Sequence, residues 1–97
     1  MIYNARAELI IRERENINDT AFVELVVWLV PVPLAGSVHN FKCRLALVIE
    51  GECVMRYDNE AGKGDHRHID GREEAYVFKD PETLLADFYE DVERILS

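Results

Sequence analysis

The sequence predicts an α+β fold: one domain with a mostly antiparallel sheet of five or six strands and a single C-terminal helix packed on one face. Three observations carry this. Residues from about 6 to 79 alternate apolar and polar side chains in short runs, the period of strands. Asn, Asp and Gly punctuate those runs at spacings that suit hairpins. From about 81 to 96 the period changes to that of an amphipathic helix. Because strands come first and the helix last, there is no βαβ alternation to build a parallel sheet.

The elements follow in order. "RAELIIRER" alternates, with Ala7, Leu9 and Ile11 to one side and Glu8, Ile10 and Arg12 to the other. "NIND" is turn chemistry, since Asn and Asp tolerate the backbone angles of a turn. "TAFVELVVWLV" is β-branched and aromatic, apolar on both faces except at Glu24, and reads as a central strand. Pro31, Pro33 and Gly36 then mark a loop. "FKCRLALVIE" sets Phe41, Cys43, Leu45, Leu47 and Ile49 on one face. Glu50-Gly51 is a two-residue turn. "CVMRYD" returns with Cys53, Met55 and Tyr57 on one face, "HRHID" forms the next strand, Asp70-Gly71 the next turn, and "EAYVFK" the last strand. Asp80 caps the helix, Pro81 suits its first position, and Leu84, Leu85, Phe88, Val92, Ile95 and Leu96 form its apolar stripe. Asp87, Glu90, Asp91 and Arg94 are expected to face water. One helix covers one face of a sheet whose second strand is apolar on both. The other face then needs a second subunit, a partner, or a sheet that curls onto itself; a homodimer or partner complex is preferred.

Ninety-seven residues, 48% apolar and 31% charged, make one globular domain over 1–97. The longest apolar run, "LVVWLVPVPLAG", is too short for a bilayer and is broken by prolines. The first residues lack the basic-then-apolar order of a signal peptide. Cys43 and Cys53 sit in apolar runs and read as reduced core residues of a cytoplasmic protein. The net charge of −8 argues against general nucleic-acid binding, which needs a basic field. Charge is uneven, however: from Lys63 to Arg72 cations and histidines outnumber aspartates, while the helix is acidic.

That local excess lies in "YDNEAGKGDHRHIDGREE", residues 57–74, which holds three of the five glycines and two of the three histidines. His66, His68 and Asp70 have the spacing of a metal-binding strand, but the residue after Asp70 is Gly71 where a hydrolase motif continues with histidine. No metal or cofactor is therefore assigned. Gly62-Lys63-Gly64 can hold a phosphate through N–H groups and a cation, although the P-loop spacing is absent. Acid–base chemistry on a phosphodiester fits best. His66 and His68 share the acid and base roles, Lys63 and Arg67 hold the phosphate, Asp58 or Asp65 orients a histidine, and Asn59 completes the substrate-binding set. The bland alternative is a solvated hairpin tip in which the glycines serve the turn and Asp58 and Asn59 cap the strand end. His39 reads as a surface residue, and Trp28 as core or interface.

The strings "YDNEAGKGDHRH", "DGREEAYVF" and "LLADFYEDV", with "ELVVWLVPVPLAGSVHNFKCRL" before them, resemble the TumE family, small bacterial toxins of toxin–antitoxin pairs. The resemblance runs from about Glu24 to Val92. Members tend to carry an aromatic where Cys43 stands and proline where Ala75 stands. It implies a cytoplasmic protein with a small helix-turn-helix antitoxin as partner. Many toxins of this size cleave RNA on a compact sheet with a histidine-bearing face, a fold-level analogy. Two functions follow: a metal-independent endoribonuclease, or a non-catalytic module that grips a protein or nucleic acid.

Overall fold

The computed structural model of the chain describes residues 6–60 and 62–97. The leader reading of the first five residues and the place of Ala61 in the polar loop lie outside them. Six strands, β1 (Glu8–Asn16), β2 (Ala21–Leu29), β3 (Phe41–Ile49), β4 (Glu52–Glu60), β5 (Gly64–Ile69) and β6 (Arg72–Ala75), precede helix α1 (Pro81–Leu96). The sheet order is β1-β2-β3-β4-β5-β6, antiparallel throughout. It is an open meander whose edges are β1 and β6, so the sheet does not close on itself.

The turn residues set this register. Glu50 and Gly51 have φ of 49° and 81°, and Asp70 and Gly71 have 52° and 74°. Positive φ at both central residues is what a tight hairpin with right-twisted strands demands. Between β1 and β2 the Asn18 side chain accepts from the N–H groups of Thr20 and Ala21, each at 2.9 Å.

One face of the sheet is the core. Val23, Leu25 and Val27 of β2 meet Cys43, Leu45 and Leu47 of β3, Met55 and Tyr57 of β4, and Leu84, Phe88 and Val92 of α1, all buried. Asp80 caps the helix by accepting from the Thr83 N–H at 2.6 Å. The four-residue β6 is shorter than "EAYVFK" suggests. After Ala75 only the Tyr76 N–H finds a strand partner, the Asp65 carbonyl at 3.0 Å, because β5 begins at Gly64. Tyr76 and Phe78 turn instead onto the core.

Two bulges overturn the expected alternation. The β1–β2 register slips between Leu9 and Ile11, so Ile11 pairs with Val27 on the core side while Leu9 pairs with Trp28 on the other. The β3–β4 register slips between Leu47 and Val48: Met55 opposes Leu47 but Cys53 opposes Val48. Cys53 is therefore exposed, not core; Cys43 is buried as expected. An extra residue in one strand reverses every side chain beyond it, which is why both corrections sit at strand ends.

Candidate functional site

The open face of the sheet, opposite α1, gathers most of the chemistry. Arg44 pairs with Asp58 and Asp58 with His66, while Ala46 pairs with Arg56, Arg56 with His68, and His68 with Glu73. Cross-strand partners share a face, so these side chains form two adjacent rows on it. The rings of His66 and His68 lie 6.5 Å apart. Both approach one carboxylate: His66 Nδ1 is 3.4 Å from Glu73 Oε1, and His68 Nε2 is 3.1 Å from Glu73 Oε2. His68 is the more open, with 31% of its side chain exposed against 14% for His66. Arg56 donates Nε–H to Asp58 Oδ2 at 2.9 Å. Asp58 Oδ1 and His66 Nε2 are buried with no hydrogen-bond partner. Leaving a buried polar atom unpaired costs about 1–3 kcal/mol, more for a charged one, so such atoms mark places with something to gain from a ligand or a water.

Two cavities flank this pair. One of about 330 Å³ is lined by Val26, Trp28, Lys42, Arg44, Asp58 and Glu60, with Cys43 and Asn59 behind. A smaller one of about 180 Å³ is lined by Arg56 and His68 with Cys53, Val54, Met55, Ile69 and Gly71. Cations are favoured here: Arg12, Arg14, Lys42, Arg44 and Arg56 share the face with Glu24, Asp58, Glu60 and Glu73. The rest of this chain of net charge −8 is correspondingly acidic.

The other residues of the expected site lie elsewhere. Arg67 alternates with the histidines and so points under α1. It donates to Asp91 at 3.1 Å and to Glu74 at 2.6 Å. Glu74 and the Tyr57 hydroxyl raise its already high pKa. Asp91, expected in water, is 2% exposed and also accepts from Tyr57 at 2.5 Å and Arg94 at 2.8 Å. Burial, then the bond to Asp91, pushes the Tyr57 hydroxyl well above the ordinary tyrosine range. Tyr76, next to it, donates to Asp87 at 2.5 Å.

Asp65 is also on the helix side. It accepts from Nε2 of His39 at 2.9 and 3.0 Å. His39, expected on the surface, is largely enclosed: its ring stacks on Phe78 at 3.7 Å, and its Nδ1 accepts the Phe41 N–H at 3.1 Å. Because Nδ1 accepts, Nε2 must carry the hydrogen that Asp65 receives. Asn59 is 3% exposed; its amide donates to the Phe41 carbonyl at 2.7 Å and its oxygen accepts the Cys43 N–H at 2.8 Å. It replaces a ladder rung just beyond the Arg44–Asp58 pair.

Lys63 is exposed in the β4–β5 turn, and its N–H donates to the Glu60 carbonyl at 3.1 Å. The flanking glycines have a packing task. A Cβ on Gly64 would stand 3.0 Å from the Gly36 carbonyl oxygen, and one on Gly36 would stand 3.2 Å from Gly62 and Gly64 backbone. Gly62 N–H donates to the Ala35 carbonyl. Two loops far apart in sequence are joined backbone to backbone there.

Of the expected set, the fold thus brings His66, His68 and Asp58 together, leaves Lys63 at the turn, and turns Asp65, Arg67 and Asn59 to the helix side. Arg44, Arg56, Glu73, Lys42 and Trp28 were not in that set. Glu73 was reachable: an Asp70-Gly71 turn pairs Ile69 with Arg72 and hence His68 with Glu73.

Among the described residues no cluster of three or more His, Cys, Asp or Glu side chains is arranged to hold a metal ion, and no helix is long and apolar enough to cross a membrane. No curated protein and no solved structure matches the chain. One protein-family model does, that described as Toxin TumE, over residues 3–96. The match widens the resemblance, which ran from about Glu24 to Val92, to residues 3–96, and the chain belongs to the TumE toxin family.

Proposed function

We propose that this TumE-family toxin cleaves RNA without a metal, on the open face of its sheet. The observation that carries the reading is the shared position of His66 and His68, two imidazoles 6.5 Å apart with Arg56 and Arg44 in the same rows. One imidazole takes the proton of a ribose 2′-hydroxyl as its oxygen attacks the adjacent phosphorus. The other gives a proton to the departing 5′-oxygen, leaving a cyclic phosphate and a free hydroxyl. His68 has the access to touch substrate. His66 lies deeper, its Nδ1 3.4 Å from Glu73 and its strand position opposite Asp58. Arg56 and Arg44 are the nearby cations for the charge that builds on phosphorus, with Lys63 at the end of the face.

Glu73 favours a second reading. A carboxylate between the two histidines repels a phosphate, which suits a non-catalytic module that grips a protein or nucleic acid. In either case the toxin assignment implies an antitoxin, of the helix-turn-helix kind by family resemblance, and a cytoplasmic site of action. Edge strand β1, with Leu9 and Ile10 exposed, offers a homodimer contact.

The test is expression of wild type, His66→Ala and His68→Ala in cells lacking the antitoxin, followed by purified protein on total RNA. Cleavage should fall by about 10²–10⁴-fold without either histidine, and EDTA should change nothing. RNA left intact by wild type favours the binding module; activity abolished by EDTA sinks the metal-free mechanism.

A further inference from the structure

The cavity beside the histidines has a composition the cleavage chemistry does not require. Trp28 and Val26 give it an aromatic and an apolar wall, Lys42 and Arg44 give it cations, and Asp58 lines it between those walls and His66. Its volume, about 330 Å³, is at the low end of the roughly 300–1,000 Å³ typical of small-ligand sites. Asp58 is the informative residue. Its side chain is only 10% exposed, one oxygen is held by Arg56, and the other is buried with no partner. A carboxylate in that state lacks one hydrogen-bond donor.

The ligand that fits has three properties. It has a flat π-face for Trp28, an N–H group for Asp58, and an attached anion for Lys42 and Arg44. An unpaired nucleotide of a single strand has all three. We propose that this cavity is a nucleobase subsite, with Trp28 as the stacking surface and Asp58 as the acceptor that reads an amino group on the base. The proposal rests on the RNA reading above and adds specificity to it. Asp58 pairs with His66, and the His68 row is two residues along, about 7 Å. A base seated here fixes which neighbouring phosphate lies over the histidines. Adenine, guanine and cytosine carry an exocyclic amino group. Uracil offers one N–H between two carbonyls, which would face the carboxylate unfavourably. The toxin should therefore cut beside amino-bearing bases in unpaired RNA.

Trp28 is the chain's one tryptophan, so its emission reports on this cavity alone. The probes are short 2′-O-methyl oligonucleotides, which lack the nucleophile and survive, together with an abasic version. Binding should quench Trp28, with base-bearing oligonucleotides about tenfold or more tighter than the abasic one. Adenine, guanine or cytosine should bind better than uracil. Trp28→Leu, followed by anisotropy of a labelled oligonucleotide, should lose about tenfold in affinity, Trp28→Phe should keep most of it, and Asp58→Asn should narrow the difference between bases. Equal affinity for the abasic probe, unchanged emission on binding, or no binding of any probe overturns the subsite. RNA cleavage measured in parallel separates the two claims. Cleavage without base dependence leaves the enzyme and removes the subsite. Base-dependent quenching without cleavage leaves the subsite and removes the enzyme.

Discussion

The two faces of one sheet treat polar groups in opposite ways. On the helix side every buried polar side chain named above is matched. Asp91 receives Tyr57, Arg67 and Arg94, Asn59 bridges Phe41 and Cys43, and Asp65 holds His39. On the open side Asp58 and His66 each keep a buried atom without a partner, the only such side-chain atoms among the described residues. Phe22, Glu24, Val26 and Trp28 there are half-buried, and the Arg14 guanidinium lies 3.8 Å over the Phe22 ring. Full pairing is what a stable interior needs, because an unmatched group costs desolvation energy without return. Incomplete pairing beside cavities and cations is what a surface that takes a ligand looks like. The difference teaches that the helix side holds the fold together, and it supports the proposal that the open side takes the ligand.

That division predicts where mutations hurt stability. Phe88 is fully buried and meets Tyr57 and Tyr89 edge to face at 5.8 and 5.4 Å. Phe88→Ala should remove about 3–5 kcal/mol, read from urea or thermal melts. An unchanged midpoint would break the comparison at its root. Asp91→Ala should come next, at about 1–3 kcal/mol, since it leaves the buried Tyr57 hydroxyl only the long 3.4 Å bond to the Asp87 carbonyl while Arg67, 29% exposed, regains some water. Combining it with Tyr57→Phe should cost less than the sum of the two changes, because both remove the same bond.

The helix side also shows what could be read in advance. The stripe Leu84, Phe88, Val92 and the β3 alternation were legible because burial enforces their periods, whereas β2, apolar on both faces but for Glu24, did not say which face was core. So were the two Gly turns and the Asp80 cap, which rest on local backbone chemistry alone. Leu9-Ile10-Ile11 and Cys53-Val54-Met55 were not, since consecutive apolar residues suit either register and only cross-strand pairing places the bulge. Asp91 is seven residues after Leu84, so helical period puts it inside while its charge argues for outside. Tyr57 and Arg67 decide the matter, and they are distant in sequence. His39 finds its partner Asp65 twenty-six residues away. In the site, period two joined His66 to His68, and the same period separates Arg67 and Asp65 from them. The cations Arg44 and Arg56 needed the strand register to become neighbours.

Alkaline pH sharpens the same contrast. Burial, then Asp65, raises the Cys43 thiol from 9.0 to about 12. Burial and carboxylates raise Tyr57 and Tyr76, and all three groups belong to the helix side. Each raised group stays protonated when folded while the unfolded chain has begun to ionise. Stability from these groups is therefore complete below about pH 9 and is lost as pH rises toward 12 and beyond. Melts at half-unit steps above pH 8 should show a falling midpoint, and Cys43→Ala should flatten the first part of the fall. A midpoint that rises with pH in this window contradicts the assignment.

The smallest expected effect on stability is on the open face, and it is the one that isolates function. Lys42 and Arg44 are exposed on β3, and neither appears in an ion pair among the described residues. Surface side chains of this kind change stability by no more than about 0.5 kcal/mol when replaced. Lys42→Ser and Arg44→Ser should therefore melt like wild type. If the face holds a phosphate chain, each replacement removes one neutralised charge, and the salt dependence of oligonucleotide binding should become shallower by about 0.7 in log–log slope per contact. Binding should weaken alike for all sequences where the lost contact is to phosphate. For Arg44, which borders Asp58, any additional change confined to particular bases would place it against the base edge. A loss of stability comparable to that of Phe88→Ala, with no change in the salt slope, would mean that the open face is structural after all and that its unpaired groups serve packing against another chain.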